Sequence, residues 1–443
     1  MKKPETPPNG RIEVSESEKL LSWIQDKSRK ERILEVEKEY PYWETVKYKF
    51  KDQNIDPSLL WKFIKLQRES TANHLNLSTV NGFNFKYNIT GKTLRRLHEF
   101  DLNLGGLLGG NPLIPEKQKD RFLISSIMEE AIASSQLEGA VTTREVAKNM
   151  LRTKRKPENH SEKMILNNYL TIQEILTLKD EPLTIDIIKK IQKIISKNTL
   201  DKPDYEGSFR TNNEVKVVDI TGEVFYDPPS FEQVDELMNS FCNFANSKDE
   251  KDFIHPIVRG IILHFLIGYI HPFADGNGRT ARAIFYWYLL SKGYWLIEYL
   301  SISRIIIKSP AQYARAYLYS EYDENDLTYF IDFNLKSMHL ALKSLKEYIA
   351  RKVNDKRDLF SLIKNEDVNE RQAEIIRWLV NESDLLLSVN EVQSRFATSY
   401  QTARTDLLKL ESLKYLESKF TGKKFVYFKS PDFSAKLSNL RFE

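Results

Sequence analysis

The chain has almost no cysteine and no long apolar stretch, so disulfide bonds, cysteine-bound metals and a membrane do not organise its fold. Cys242 is the one cysteine among 443 residues, which excludes an internal disulfide bond and any metal site built from several thiolates. The most apolar stretch, residues 257–270, is shorter than the roughly 18 residues of a membrane span, and it contains Arg259 and His264. No apolar signal region follows the basic start of the chain. We therefore expect a cytoplasmic protein that does not enter a membrane.

A strong excess of one charge is also missing. The chain has 66 lysines and arginines against 62 aspartates and glutamates, so no global electric field draws it to nucleic acid or to an anionic surface. Any such partner has to be bound by a local patch. Hydrophobic residues make up 41% of the chain, which is an ordinary globular balance, and the length favours several domains.

The spacing of apolar residues predicts a mainly α protein with four regions. A charged helical segment, with one solvated amphipathic helix, is expected over residues 1–60, and a helical extension over residues 61–133. A larger helical domain is expected over residues 134–352. The last region, residues 369–443, has the order three helices and a strand pair, which is typical of a winged helix-turn-helix module.

One β-hairpin is predicted among these helices, over residues 215–227. Its residues alternate and include β-branched side chains, Thr221-Gly222 lies at its centre, and Pro228-Pro229 ends it. An exposed hairpin edge can pair with the backbone of another protein. The same hairpin could serve only to brace the helical domain.

The stretch "HPFADGNGRTAR", residues 271–282, concentrates polar groups between two apolar segments. Gly276, Asn277 and Gly278 tolerate left-handed backbone conformations and lead directly into a helix. Backbone N–H groups would then converge at a helix N-terminus, which is an anion site. Arg279 and Arg282 are three residues apart, hence on one helix face, and guanidinium groups grip phosphate oxygens. The pattern predicts a polyphosphate site.

Two further residues of this stretch suit chemistry on a phosphate. His271 has a near-neutral proton affinity, which suits it to take a proton from an incoming hydroxyl. Asp275 either neutralises an arginine or holds Mg²⁺ together with phosphate oxygens. Together these roles indicate transfer of a phosphate-bearing group to a hydroxyl.

The stretch resembles the motif His-x-Phe-x-(Asp/Glu)-Gly-Asn-Gly-Arg-x-x-Arg of the Fic family at every position. The resemblance extends over roughly residues 134–352, through "GSFR", "DPP" and "HPIV". It implies a helical Fic core that transfers AMP from ATP to a hydroxyl on a target protein, with His271 as the base and Asp275 as the Mg²⁺ ligand. Gly276, Asn277, Gly278 and Arg279 would hold the phosphates, and the hairpin of residues 215–227 would be the flap that docks the target.

The resemblance also implies a built-in inhibitor at "SSQLEG", residues 134–139. Ser134 and Glu138 are four residues apart on one face of a helix, and relatives use this glutamate to pair with the second arginine of the motif, here Arg282. Relatives also line the adenosine pocket near the positions of Tyr313 and Glu321. In some relatives the glutamate supports the removal of AMP, so a reverse activity stays open.

Several alternatives remain at this level. A regulator could sense a nucleotide in the same pocket and bind DNA through residues 369–443, although their net charge of +2, from 12 basic and 10 acidic residues, is small. A donor nucleotide other than ATP is a second alternative. Expected partners are ATP, a target protein with a serine, threonine or tyrosine hydroxyl, the chain itself as a target, and a second copy in a homodimer.

Overall fold

The computed structural model describes residues 2–9, 12–51, 55–78, 84–104, 119–218, 222–247, 253–362, 367–382, 385–421 and 424–440. The glycine-rich stretch at 105–118 and the tips of the two predicted hairpins, at 219–221 and 422–423, lie outside these ranges. The chain forms two compact units. The larger unit comprises Met1–Asn111, Leu123–Lys148 and Lys156–Leu342, and the smaller comprises Pro112–Phe122, Asn149–Arg155 and Lys343–Glu443.

The first helices of the larger unit surround an aromatic core. They are α1 (Val14–Ile24), α2 (Lys27–Glu37), α3 (Trp43–Lys49) and α4 (Pro57–Glu69). The predicted single solvated helix was wrong, because Asp26 accepts the N–H of Ser28 at 2.8 Å and so starts a second helix. Trp23, Trp43 and Trp61 are buried in the core that these helices share.

Arg68 of α4 is a buried cation at the edge of this core. Its guanidinium donates to both carboxylate oxygens of Glu37, at 3.0 and 2.9 Å, and to the Tyr329 hydroxyl at 2.8 Å. It also lies 3.8 Å from the centre of the Tyr40 ring. Because the charge is fully paired, its burial is compatible with a stable fold.

A short hairpin follows, and the sequence did not predict it. Strands β1 (Asn73–Ser78) and β2 (Asn84–Tyr87) pair antiparallel and lead into α5 (Gly91–Leu104). The helical extension expected over residues 61–133 thus also contains a strand pair that the sequence analysis did not predict. Both strands are short, and β2 buries Phe85, Lys86 and Tyr87 in succession instead of every second residue, so the sequence offers little alternation to detect.

The remaining helices of this part of the chain carry the site. They are α6 (Lys119–Leu137), α7 (Arg144–Thr153), α8 (His160–Leu178), α9 (Ile185–Ser196), α10 (Val234–Asn246), α11 (Pro256–Ile270), α12 (Asn277–Ser291), α13 (Ser303–Ile306), α14 (Pro310–Tyr322) and α15 (Thr328–Leu362). Strands β3 (Val217–Val218) and β4 (Val224–Tyr226) pair antiparallel between α9 and α10, where the hairpin was predicted.

Helix α11 is apolar on every side because it is buried on every side. Glycines let its neighbours approach closely. A Cβ on Gly260 would lie 3.2 Å from side-chain atoms of Leu289 and Tyr288 in α12, and a Cβ on Gly268 would lie 2.7 Å from the hydroxyl of Tyr317 in α14. The path of α11, and therefore the position of the residue that follows it, depends on these contacts.

The smaller unit contains the predicted order of three helices and a strand pair. The elements are α16 (Glu370–Asn381), α17 (Val389–Phe396), α18 (Tyr400–Ser412), β5 (Leu416–Thr421), β6 (Lys424–Lys429) and α19 (Phe433–Leu440). They share a core that includes Ile376, Leu407 and Tyr415. The assignment of this unit as a winged helix stays a prediction. Among the described residues, no helix combines the length and apolarity needed to cross a bilayer.

Replacing Arg68 with alanine should lower the free energy of unfolding of the larger unit by about 3–5 kcal/mol, because Glu37 would lose its buried partner. Lys27→Ala is the control, since the Lys27 side chain is 90% exposed and its loss should cost no more than about 0.5 kcal/mol. Urea unfolding followed by tryptophan fluorescence measures both. Equal effects of the two substitutions would contradict the importance of the buried pair.

Candidate active site

His271 ends α11 in a left-handed conformation, with φ 50° and ψ 56°. Its Nδ1 lies 3.2 Å from the carbonyl oxygen of Gly268. A carbonyl only accepts, so Nδ1 carries the proton in this contact and the lone pair is on Nε2, which is the form that a general base needs. Burial lowers the pKa of His271 below its ordinary value, by more than the Gly268 carbonyl and Glu138 raise it. The imidazole is therefore neutral at pH 7.

The loop after His271 is held from inside by Asn277. Its side-chain oxygen accepts the N–H of Phe273 at 2.9 Å, and its side-chain nitrogen donates to the carbonyl of Phe273 at 2.8 Å. Gly276 takes φ 82° just before α12, a conformation that glycine adopts without strain. The Asn277 side chain thus fixes the loop, and the backbone N–H groups at this end of α12 face the site without a capping side chain.

Two residues that the sequence analysis did not select hold the loop from outside. Arg210 donates from Nε to the carbonyl of His271 at 2.9 Å, and another of its nitrogens donates to the carbonyl of Pro229 at the base of the β3–β4 hairpin. Gln192 of α9 donates to the carbonyl of Asp275 at 3.1 Å. The signal for Gln192 was present, because it is a polar residue in the apolar stripe of α9.

The N-terminus of α12 is strongly positive. The side chains of Arg279 and Arg282 are buried, and both add to the positive end of the helix dipole. Arg279 donates to the carbonyl of Ile195 at 3.3 Å and lies 3.5 Å from a carboxylate oxygen of Asp275. Its Nε is buried and, within the described part of the chain, has no acceptor. An unsatisfied buried donor beside helix N–H groups fits a phosphate oxygen.

Arg282 connects α12 to the end of α6. Its Nε donates to the hydroxyl of Ser134 at 2.8 Å, and one Nη donates to the Ser134 carbonyl at 2.9 Å and to Glu138 Oε1 at 2.8 Å. The Glu138 carboxylate also lies against Gly278, where an added Cβ would be 2.2 Å from Oε1. The structure thus brings the predicted pair together and places the carboxylate directly over the first turn of α12.

The charge of Glu138 depends on these arginines. Burial alone would raise the pKa of Glu138, but the charge and hydrogen bond of Arg282, with the nearby charge of Arg279, lower the pKa below its ordinary value. The Glu138 side chain keeps 28% of its surface exposed, and that of Arg282 keeps 4%. The carboxylate is therefore ionised at neutral pH and occupies the place where an anion would bind.

Residues 182–289 match the family model described as Fic/DOC family, and this match includes the loop after α11 and all but the last two residues of α12. Residues 182–289 therefore form the part of the chain that is similar to Fic/DOC proteins. A curated relative, "Protein adenylyltransferase Fic" of Nematostella vectensis, is 31% identical over 180 residues, which are 39% of this chain and 40% of the relative. A protein of the same name from Aedes aegypti is 40% identical over 67 residues, which are 15% of this chain and 13% of the relative. The chain thus spans less than half the length of these relatives.

Solved structures extend the likeness beyond the matched residues. "Fic-1 (aa134 - 508) from C. elegans" superposes with a TM-score of 0.50 and 17% identity, over 75% of this chain and 86% of that chain. At this identity the likeness shows the fold alone. The fold is therefore the mainly helical fold of Fic proteins, as the resemblance implied.

Tyr313 and Glu321, which the resemblance placed near one adenosine pocket, lie in two different surroundings. The Tyr313 hydroxyl lies 2.8 Å from Nε2 of His264, inside the helical core. Glu321 instead lines a cavity of about 360 Å³ together with Tyr226 of the hairpin and Tyr269 of α11. Burial raises the pKa of Glu321 to about 8, and its Oε2 has no hydrogen-bond partner among the described residues. Tyr226 donates to the carbonyl of Tyr269 at 3.0 Å, so this cavity adjoins the end of α11.

Replacing Glu138 with glutamine should lower the pKa of His271 further, because the carboxylate charge is one of the causes that raise it. Glu35→Gln is the control, since Glu35 is an exposed residue of α2 with a 70% exposed side chain. NMR titration of ¹³C-labelled histidine measures the pKa, with His271→Gln assigning the signal. A pKa of His271 at or above the ordinary value of about 6.5 would contradict the burial argument.

The same pKa shift has a consequence for stability. Folded His271 binds fewer protons than the unfolded residue, because its pKa is lowered. The contribution of this group to the free energy of unfolding should therefore rise with pH up to about 6.5 and be constant above that pH. Thermal melts of the wild type and of His271→Gln between pH 5 and pH 8, in steps of about half a unit, measure the difference. A difference that grows above about pH 7 would contradict this assignment.

Proposed function

We propose that this chain is a protein adenylyltransferase that moves AMP from ATP to the hydroxyl of a serine, threonine or tyrosine on a target protein. The observation that carries the proposal is the position of His271, one tight loop before a helix N-terminus with two buried arginines. A base for a hydroxyl beside a polyphosphate site is what such a transfer requires. The names of the curated relatives support the same reaction.

The reaction forms one bond and breaks one. Nε2 of His271 takes the proton of the target hydroxyl while the oxygen attacks the α-phosphorus of ATP. The bond from the α-phosphorus to the bridging oxygen breaks, and pyrophosphate leaves with the electron pair. The backbone N–H groups at the start of α12, with the guanidinium groups of Arg279 and Arg282, would stabilise the negative charge on the phosphate oxygens. A positioned base contributes about 10²–10⁴ in rate.

Asp275 fits the role of a Mg²⁺ ligand. Its side chain is 57% exposed beside Arg279, and a single carboxylate is what Mg²⁺ uses when phosphate oxygens and waters supply its other ligands. Bound there, the ion would neutralise charge on the phosphates. Asp275 itself is oriented by the N–H of Gly276, which donates to its Oδ1 at 2.5 Å.

Glu138 would inhibit the transfer from within the chain. The contact of its carboxylate with Gly278 and Arg282 supports this role, because a phosphate would need the same guanidinium and the same space. ATP would then bind with its phosphates displaced from the line of attack. Removing a charge-assisted bond of this kind is worth about 1.5–3 kcal/mol, which corresponds to about 10–100-fold in rate.

The hairpin of β3 and β4 would be the flap that docks the target. Its base is tied to the catalytic loop, because Arg210 donates both to the carbonyl of His271 and to that of Pro229. A target strand added to the hairpin would receive backbone hydrogen bonds that do not depend on its sequence. The hydroxyl of the target strand would thereby lie near the imidazole of His271.

Intact-mass spectrometry tests the transfer and the inhibition together. The wild type and Glu138→Gly are incubated with Mg²⁺ and, separately, with each of the four ribonucleoside triphosphates. We expect a gain of one AMP with ATP, about 10–100-fold faster in Glu138→Gly, because Arg282 is then available to phosphate. Adding His271→Ala to Glu138→Gly should slow the gain by about 10²–10⁴.

Glu145→Gly is the matched control, since Glu145 is an exposed residue in the first turn of α7. It should behave as the wild type. A gain in mass with another triphosphate and not with ATP would show that this other nucleotide is the donor. If no variant gains mass and none modifies protein in a cell lysate supplied with labelled ATP, the proposed transfer is wrong.

A further inference from the structure

The positive charge of residues 369–443 is concentrated at one hairpin. The sequence of residues 416–429, which forms the β5–β6 hairpin, contains four lysines and one glutamate, and Lys414 comes just before it, whereas residues 369–413 contain five basic and seven acidic residues. The modest net charge of the whole module therefore hides a basic hairpin next to a slightly acidic helical body. A local excess of this kind, and not the total, is what a phosphate backbone attracts.

Two phenylalanines stand out from the same hairpin. Phe420 of β5 and Phe425 of β6 are directly opposite each other in the strand pair, and their ring centres are 5.1 Å apart. Their exposed fractions are 60% and 53%. Burying one phenylalanine side chain stabilises a fold by about 1.5–3 kcal/mol. An exposed aromatic pair therefore indicates a surface that is covered by a partner.

A polar helix face accompanies the hairpin. Ala397, with φ 49°, ends α17, and Ser399 caps α18 by accepting the N–H of Thr402 at 3.1 Å, so the two helices are joined by a three-residue turn. The exposed residues of α18 include the polar Gln401, Arg404 and Thr405, together with Tyr400 and Leu408. The side chains of the first three can donate and accept hydrogen bonds, as base edges in a major groove require.

The carboxylate in the middle of α18 is kept off this face. Asp406 is 2% exposed and accepts from Asn369 at 2.8 Å, from Arg371 at 2.6 Å and from Gln372 at 3.0 Å. All three donors are at the start of α16. The negative charge is thus neutralised inside the unit, and it does not oppose an anion that approaches the exposed face.

We infer that the smaller unit binds duplex DNA, with α18 directed to the base edges and the β5–β6 hairpin on the adjacent backbone. In this arrangement Lys414 and Lys419 contact phosphates, and Phe420 and Phe425 contact sugars and base edges in the neighbouring minor groove. The exposed face of α18 favours DNA over an anionic membrane, because its hydrogen-bonding residues Gln401, Arg404 and Thr405 outnumber the one exposed leucine, Leu408, whereas a membrane-binding helix has a mainly apolar face. This function is independent of the transferase activity.

Fluorescence anisotropy with a labelled random duplex of about 30 base pairs tests the inference on the full chain. Affinity should fall linearly with salt on a log–log plot, with a slope of about −0.9 for each phosphate contacted. The double variant Lys414→Gln and Lys419→Gln should reduce the slope by about 2. The double variant Phe420→Ser and Phe425→Ser should weaken binding about tenfold with an unchanged slope.

Lys163→Gln, an exposed lysine of α8 in the larger unit, is the matched control and should bind as the wild type. His271→Ala should also bind as the wild type, which separates this inference from the proposed transfer chemistry. Thermal melts show whether each variant is folded. The inference is overturned if duplex DNA does not bind at low salt, or if the lysine and phenylalanine variants bind duplex DNA as tightly as the wild type does. It is also overturned if the chain binds single-stranded DNA or RNA more tightly than duplex DNA, or if it binds phosphatidylserine vesicles and not DNA.

Discussion

The guanidinium of Arg282 is the interaction on which the site depends. It donates to the hydroxyl and the carbonyl of Ser134 in α6 and to the carboxylate of Glu138, the residue that follows this helix. A buried cation without these acceptors would cost several kcal/mol, so the end of α6 is fixed to the start of α12. The ionised state of Glu138 follows from that contact. The proton affinity of His271, to which Glu138 contributes, follows in turn.

The remaining geometry of the site comes from backbone carbonyls that are held in place. The loop between α11 and α12 has four backbone carbonyls, those of His271, Pro272, Phe273 and Asp275, that accept hydrogen bonds from Arg210, Asn277 and Gln192. Because these hydrogen bonds already fix the loop, little free energy of reorganisation would be needed when a phosphate binds. Dipoles that are held in place before the reaction are a main source of rate enhancement in enzymes.

The sequence predicted the features of the site that depend on neighbouring residues, but not the contacts between residues far apart in the chain. The glycines, the asparagine and the arginines of residues 271–282 indicated a helix N-terminus, because that inference needs only neighbouring residues. The roles of Arg210 and Gln192 could not be read in the same way, since they act on carbonyls 61 and 83 residues away. The β1–β2 hairpin was missed for a different reason. Its few buried residues form no periodic pattern.

Close contacts at Gly260 and Gly268 fix the position of α11, the helix that ends at His271. The two glycines are eight residues apart on α11, a separation of about 12 Å along the axis and about 80° beyond two full turns around it. One glycine meets the side chains of α12, and the other meets Tyr317 of α14. Contacts in two directions and at two heights leave α11 no free rotation and no free sliding. The position of the His271 imidazole is thus set in part by Gly260, eleven residues before it, where a single added methyl group would meet the side chains of α12 and displace the end of α11.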